Sequence, residues 1–312
     1  MHAIRHFFKD FHKNLPILLM VLPGAIGFII FSYLPMGGTL LAFKQYRYNG
    51  EGFLSSFLSS EWVGIRNFTF LFGTNDAYII TRNTLLYNIA FITLGTLAAV
   101  IMAILLSEIM NKRLSKLYQT GMFLPHFMSF VIVGFFVYSF LNADKGLLNS
   151  VLSSFGLQEI SWYATPEYWP YILIITNLWK SIGYTSVVYL AAITGFDRSL
   201  YEAAMIDGAS KWRQIRSITI PLLKPLIIIM TLLAIGRIFY ADFGLFYNVP
   251  RNSGALYPVT NVIDTYVYRG LNATGEMGMA TAAGFYQSII GFILVITSNY
   301  TVRKLDKDSA LF

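Results

Sequence analysis

The residues with the clearest chemical potential lie in a short polar stretch, Asp197–Ser217, between two long apolar runs. Ser199 and Glu202 stand at capping-box spacing, which predicts a short helix starting at Leu200. Gly208 can adopt a left-handed conformation and end it. Ser210 can cap a second short helix, and Pro221 follows where the next apolar run is set up. Ala203 and Ala204 give the first helix a low profile, while Glu202, Asp207 and Arg213 supply polar contacts. A helix–turn–helix knob of this kind suits docking into a groove on another protein. An amphipathic loop lying on a membrane surface would use the same residue types, so composition alone leaves both readings open.

A second set of polar side chains is embedded in apolar sequence. Asn177, Trp179, Lys180, Ser181 and Tyr184 share one run, Arg237 and Tyr240 close another with Asp242 nearby, and Tyr286 and Gln287 lie in a third. Aromatic faces stack on the C–H surfaces of sugars and polar groups bond their hydroxyls, so these are candidate pathway residues for a polar solute. A cation at the middle of a membrane helix costs about 2.5–3.5 kcal/mol, so Lys180 and Arg237 are expected to face the bundle interior or water. A structural ion pair or a snorkelling side chain is the plainer alternative for both. Catalysis has little to work with. There are 0 cysteines, hence no disulfide, thiolate zinc site or iron–sulfur centre. No phosphate-cradling G-x-x-x-x-G-K-[ST] loop, zinc-binding H-E-x-x-H helix or intramembrane Asp pair is present. His126, alone in its apolar run, reads as a packed residue. The apolar runs carry no Asp or Glu away from their ends, which disfavours proton- or sodium-coupled transport. No catalytic or metal-ligating set is expected.

The composition defines the elements that must hold these residues. Of 312 residues, 55% are hydrophobic and 12% charged, about half the charge of a soluble domain. Runs of about 20 apolar residues can cross a bilayer. Six are expected, over about 15–34, 84–107, 117–141, 168–196, 218–240 and 277–302, in an all-α membrane protein. A stripe of Gly95, Ala99 and Ala103 on the second suits close helix packing in lipid. The organisation is then an arm over 1–14, a six-helix domain over 15–302 containing the 197–217 loop, and a tail over 303–312. The first run is long for a signal peptide and no small-x-small site follows it, so it reads as a retained span.

Six crossings put both termini on one side. With that side cytoplasmic, 13 cations fall inside, from Arg5 to Lys307, against 7 in the outer segments. Every inner segment holds several within reach of a span end, as the positive-inside rule requires. The net charge of +7 is thereby explained by topology, and nucleic acid is an unnecessary partner.

The loop then gains a sharper meaning. Glu202-Ala203-Ala204, three residues, Gly208, nine residues and Ile218-Thr219-Ile220-Pro221 resemble the EAA signature of ABC importer permeases, with Ile220 where Leu is usual. Leu124-Pro125-His126-Phe127, Ile206-Asp207-Gly208-Ala209, the stretch Arg251–Pro258 and the stretch Val262–Arg269 resemble the carbohydrate-type permeases, closest to the branch for bacterial oligosaccharide or polysaccharide uptake. The similarity runs from the first span to the tail.

That resemblance implies the type I ABC importer permease fold, with both termini cytoplasmic, in a multi-pass protein of the bacterial inner membrane. It assigns Glu202, Ala203, Ala204, Asp207 and Gly208 to coupling with a cytoplasmic ATPase. With one signature per chain, it implies a second EAA-bearing permease subunit, two ATPase subunits that bind ATP and Mg, and an extracytoplasmic solute-binding protein. No cofactor is expected on this chain itself. The substrate implied is an oligosaccharide, an ABC importer for a non-sugar solute being the alternative. Asn177, Trp179, Lys180, Tyr184, Arg237, Tyr240, Tyr286 and Gln287 are the expected pathway residues. Arg251, Asn252 and Tyr257 are expected to contact the binding protein, the other reading of their loop being a lid packed on its own subunit.

Overall fold

The computed structural model describes residues 14–73 and 75–305. The expected arm, apart from Asn14, and the expected tail beyond residue 305 lie outside the described residues. The chain divides into two compact units, one of residues up to 70 with 274–285, the other of 71–273 with the residues from 286 on.

In the first unit, helix α1 (Leu15–Phe28) opens with proline in its first turn, where no intrahelical N–H is needed. It continues through a π-turn at Ile29–Tyr33, just before Pro35, and a 3-10 turn at Gly37–Phe43. The helical run therefore reaches 29 residues, ending at Phe43 rather than near residue 34. None of its residues from Leu15 to Met36 is buried. Strand β1 (Lys44–Gln45) pairs antiparallel with β2 (Glu61–Trp62), Lys44 opposite Trp62. Helix α2 (Phe53–Ser59) lies between them in sequence.

In the second unit, helix α3 (Asn75–Ser107) has 33 residues, beginning nine before the span expected from hydropathy. Its polar start is helical because it anchors a later loop. Asn83 Nδ2 donates to the Asn261 carbonyl at 2.9 Å and the Tyr87 hydroxyl to that of Val259 at 2.9 Å. The single span expected over 117–141 is two helices, α4 (Lys112–Phe127) and α5 (Phe130–Leu141), which meet at 99°. Pro125 weakens the last turn of α4, and the Ser129 side chain accepts from the Ile132 N–H to start α5 afresh. Helix α6 (Leu147–Ser154) precedes α7 (Trp169–Thr194), which packs along α3. Helix α8 (Arg198–Ile206) is followed by α9 (Lys211–Gln214), a π-turn at Ile215–Thr219 and α10 (Ile220–Ile235). Helix α11 (Phe243–Asn248), helix α12 (Ile263–Thr274) and helix α13 (Met277–Leu305) complete the order.

Two apolar clusters hold this unit together. One joins Ala99, Ala103 and Ile104 of α3 to Tyr189 and Leu190 of α7 and Leu223 of α10. The other gathers Tyr87, Val133, Trp169, Leu173, Leu245 and Val262. Ala99 and Ala103, from the small-residue stripe, are fully buried. Crossings are tight where glycine meets backbone: a Cβ at Gly183 would lie 1.9 Å from the Met122 carbonyl oxygen, and one at Gly134 would lie 2.7 Å from that of Asn248. Among the described residues, four helices are long and apolar enough to cross a membrane, and the bent α4–α5 pair makes a fifth. Helix α7 has the length but falls short in apolarity, because Thr176, Asn177, Lys180, Ser181, Thr185 and Ser186 interrupt it.

Candidate functional site

The polar loop folds into the knob its residues call for, with a shifted start. Helix α8 begins at Arg198, two residues before the expected Leu200, because Asp197 rather than Ser199 is the N-cap. The Asp197 side chain accepts from the Ser199 N–H at 2.9 Å. Donation from the Ser199 backbone and side chain holds this carboxyl below the usual carboxylate range. At the other end Gly208 sits at φ +74°, the left-handed region. The Ala209 N–H then reaches back to the Ala204 carbonyl at 2.8 Å and the Gly208 N–H to Met205 at 3.1 Å, the paired bonds of a Schellman cap. Thus Ala204 and Gly208, both picked from spacing, belong to one capping device.

The second limb differs from expectation. Ser210 does cap α9, its side chain accepting from the Arg213 N–H, but α9 runs on without a break. Residues Lys211–Ile235 form one continuous run of 25 residues. The π-turn immediately before Pro221 absorbs the hydrogen bond that this proline cannot donate. Lys211 Nζ ties the limb to the end of α3 through Glu108 Oε2 at 2.9 Å. Glu202 and Arg198 border a cavity of about 320 Å³ with Glu108, Lys211 and Tyr201. Outward, Ala203 and Asp207 are exposed, and so are Ile206 at 87% and Trp212 at 71%. Fully covering an Ile-sized side chain is worth roughly 1.5–3 kcal/mol. This tip is therefore a strong candidate for partner contact.

The expected pathway residues do not form one cluster. On α7, Lys180 Nζ donates to the His126 carbonyl at 2.8 Å and lies 4.7 Å from the centre of the Phe130 ring. It thereby spans the break between α4 and α5, satisfying a carbonyl of the last turn of α4. Tyr184, one turn on, stacks against His126 with ring centres 4.6 Å apart and an 8° interplanar angle. Asn177 is half-buried and Trp179 exposed.

Arg237 is not deep inside a span. Helix α10 ends at Ile235, and Arg237 stands exposed in the turn that follows, beyond the helix C-terminus, where a cation complements the dipole. Tyr240 shares a 2.6 Å hydroxyl bond with Ser288, and its carbonyl accepts from Asn88 at 3.1 Å. Gln287 is buried and donates to the Phe239 carbonyl and, at 3.2 Å, to Asp264 Oδ2. Asp264 also accepts the Ala241 N–H at 2.8 Å. Burial pushes its carboxyl above the usual range, against the pull of these donors. Tyr286 packs edge-on against Phe72 and Phe239. Asn88, Asp264 and Ser288 were missed in sequence. Their signal was faint: Asn88 and Ser288 are among several polar residues scattered through apolar runs, and Asp264 lies in the stretch Val262–Arg269, noted there only for its resemblance.

In the loop between α11 and α12, Arg251 and Asn252 are the two non-glycine residues with positive φ among those described, at 54° and 49°. The turn directs the Arg251 guanidinium over the Tyr138 ring at 4.0 Å. Asn252 Oδ1 accepts from the Tyr257 hydroxyl at 3.1 Å and from Arg269 at 3.0 Å. Arg269, absent from the expected set, also lies 4.2 Å over the Tyr257 ring and donates to Asn261. Asn252 and Tyr257 thus bond within their own subunit, while Arg251 remains exposed at the surface.

Comparison with known proteins agrees with this geometry. Residues 92–307 match the family described as "Binding-protein-dependent transport system inner membrane component". The chain is 34% identical over 290 residues to the polygalacturonan/rhamnogalacturonan transport system permease protein YteP of Bacillus subtilis (strain 168), covering 93% of this chain and 88% of that one. It is 33% identical over 291 residues to protein LplB of the same organism, covering 93% and 89%. A solved bacterial alginate ABC transporter, in complex with an alginate pentasaccharide-bound periplasmic protein, contains a similar chain with a TM-score of 0.85 and 32% identity over 96% of this chain and 98% of that one. Similarity at this level carries the type I permease fold across the bent α4–α5 pair and the polar α7 alike. The chain belongs to the binding-protein-dependent transport system inner membrane components, the multi-pass, non-catalytic permease subunits of ABC transporters.

Proposed function

We propose that this chain forms half of the passage of an ATP-driven oligosaccharide importer in the bacterial inner membrane. A second permease chain with its own EAA loop supplies the other half. Two cytoplasmic ATPase subunits bind ATP and Mg and drive the passage through the α8 knob, and an extracytoplasmic binding protein delivers the cargo. Both termini are cytoplasmic in this arrangement, and α7 crosses the membrane as a sixth span, its polar residues turned from lipid. The observation that carries the reading is the knob itself. It is a capped helix with an exposed apolar tip, joined by the short Gly208 turn to a long apolar helix that Lys211 ties to the end of another. The oligosaccharide assignment is supported by relatives whose names specify polygalacturonan/rhamnogalacturonan and alginate.

The test is Glu202→Lys in the co-expressed transporter. The variant chain inserts normally, but cargo-stimulated ATP hydrolysis and uptake fall together. Full uptake with normal recovery of the ATPase subunits would overturn the coupling assignment.

A further inference from the structure

The first unit holds a cavity of about 360 Å³ that none of the expected functions uses. Its walls are set by local chemistry. Asn67 Nδ2 donates to the Ala42 carbonyl at 3.0 Å and the Lys44 carbonyl at 2.9 Å, which fixes β1 against the turn that carries Arg66. Gly278 permits this side chain to meet the first turn of α13, since a Cβ there would lie 2.5 Å from Asn67 Nδ2. The lining consequently brings together Arg47 after β1, Arg66 before Asn67, and the start of the 29-residue helix α13.

The residues of the lining carry more positive than negative charge. Lys44 turns its amine away to the Phe57 carbonyl at 2.8 Å, between the Phe57 and Trp62 rings. Glu276 contributes one negative charge to the lining. Against it stand the guanidinium groups of Arg47 and Arg66, neither of which makes a side-chain hydrogen bond or ion pair with another described residue. The positive end of α13 adds to them. Tyr46 and Phe70 supply ring surface in the same cavity. Guanidinium groups bind carboxylates through paired hydrogen bonds, and aromatic rings suit the C–H faces of pyranoses. The volume is at the small end of ligand sites, roughly 300–1,000 Å³, so the cavity fits one end of a longer molecule rather than the whole.

We propose that this cavity is a carboxylate subsite on the outer side of the permease that receives the end of an acidic oligosaccharide, Arg47 and Arg66 holding its uronate group. The inference rests on the importer reading, which places this segment outside and makes the cargo an oligosaccharide. It narrows the cargo to a carboxylated one and gives this unit a part in receiving it.

The chain has 0 cysteines, so one introduced thiol can report on the cavity. Thr69→Cys places it in the lining, and its reaction with a maleimide is followed by the mass of this chain in the assembled transporter in nanodiscs, without binding protein. A galacturonate pentasaccharide is expected to slow labelling several-fold, and neutral maltopentaose to leave it unchanged. Adding Arg47→Gln and Arg66→Gln should abolish the protection while leaving the ligand-free rate as it was. Absent protection, equal protection by the neutral sugar, or protection that survives loss of both arginines overturns the subsite. Protection by unliganded binding protein as strong as by the acidic sugar also overturns it, marking a docking patch instead. Uptake of the same pentasaccharide is scored separately. Import without protection removes the subsite and keeps the importer, whereas protection without import removes this cargo and keeps the cavity as an acid-binding site.

Discussion

Gly208 offers a graded test of how the knob works. Its φ is +74°, and a Cβ built there meets nothing within 4 Å, so crowding plays no part in any substitution. The cost is backbone conformation alone. A left-handed residue with a Cβ loses about 1–2 kcal/mol, and Asn loses less because it visits this region readily. With 1.4 kcal/mol per factor of ten, Gly208→Ala should shift the balance between capped and frayed α8 by about 5- to 30-fold. Gly208→Pro does more: it fixes φ near −65° and deletes the N–H that donates to Met205 at 3.1 Å, a loss of about 3 kcal/mol or more. The expected order of coupling is therefore Gly, Asn, Ala, Pro. The assay is cargo transported per ATP hydrolysed in proteoliposomes, with thermal unfolding of the purified complex as control. Wild-type coupling in the Pro variant, or an Asn variant worse than Ala, would refute the claim that this cap sets the knob's shape.

Further outcomes follow from the same geometry. Lys180→Met deletes a charge-assisted bond worth about 1.5–3 kcal/mol at the α4–α5 break, so the unfolding midpoint of the complex should fall, with Lys180→Arg recovering part of it. Gly183→Ala puts a Cβ 1.9 Å from the Met122 carbonyl oxygen, so α4 and α7 must separate; a loss of about 1–3 kcal/mol is expected, read as reduced assembly and a lower unfolding temperature. Asp197 has a folded pKa below its unfolded value. Its cap therefore contributes fully above the ordinary carboxylate pKa of about 3.9 and fades as pH falls through the folded pKa. Hydrogen exchange at the Ser199 amide should show that acid limb in the wild type and lose it in Asp197→Asn.

The shape of the α8 knob was legible because its determinants are local. Gly208 and Ser210 act on backbone within four residues, and spacing alone reveals them. The start of α8 was misplaced because Asp197 and Ser199 both have capping side chains, and only the bond to the Ser199 N–H decides between them. The break at residues 128–129 was hidden because averaged hydropathy does not distinguish one long helix from two at 99°, although Pro125 and Ser129 stand on either side of it. For the same reason Ile238 and Phe239 carried the expected span past the true end of α10 and made Arg237 look buried. The surroundings of the residues expected to line a pathway were the least legible, since Lys180, Gln287 and Tyr240 bond to partners 54, 48 and 48 positions away. Spacing within one helix contains no record of such partners.

The unbroken run from Lys211 to Ile235 links the capped turn after α8 to the turn that carries Arg237. Its 25 residues make about 37 Å at 1.5 Å per residue, so a tilt of about 5° imposed near the Lys211 end displaces the far end by about 3 Å. That end carries the turn with Arg237 and, just beyond it, Tyr240, whose hydroxyl is bonded to Ser288 of α13. Such a tilt moves Leu223, near the middle of the run, by only about half as much, and is large enough at the far end to make or break a hydrogen bond.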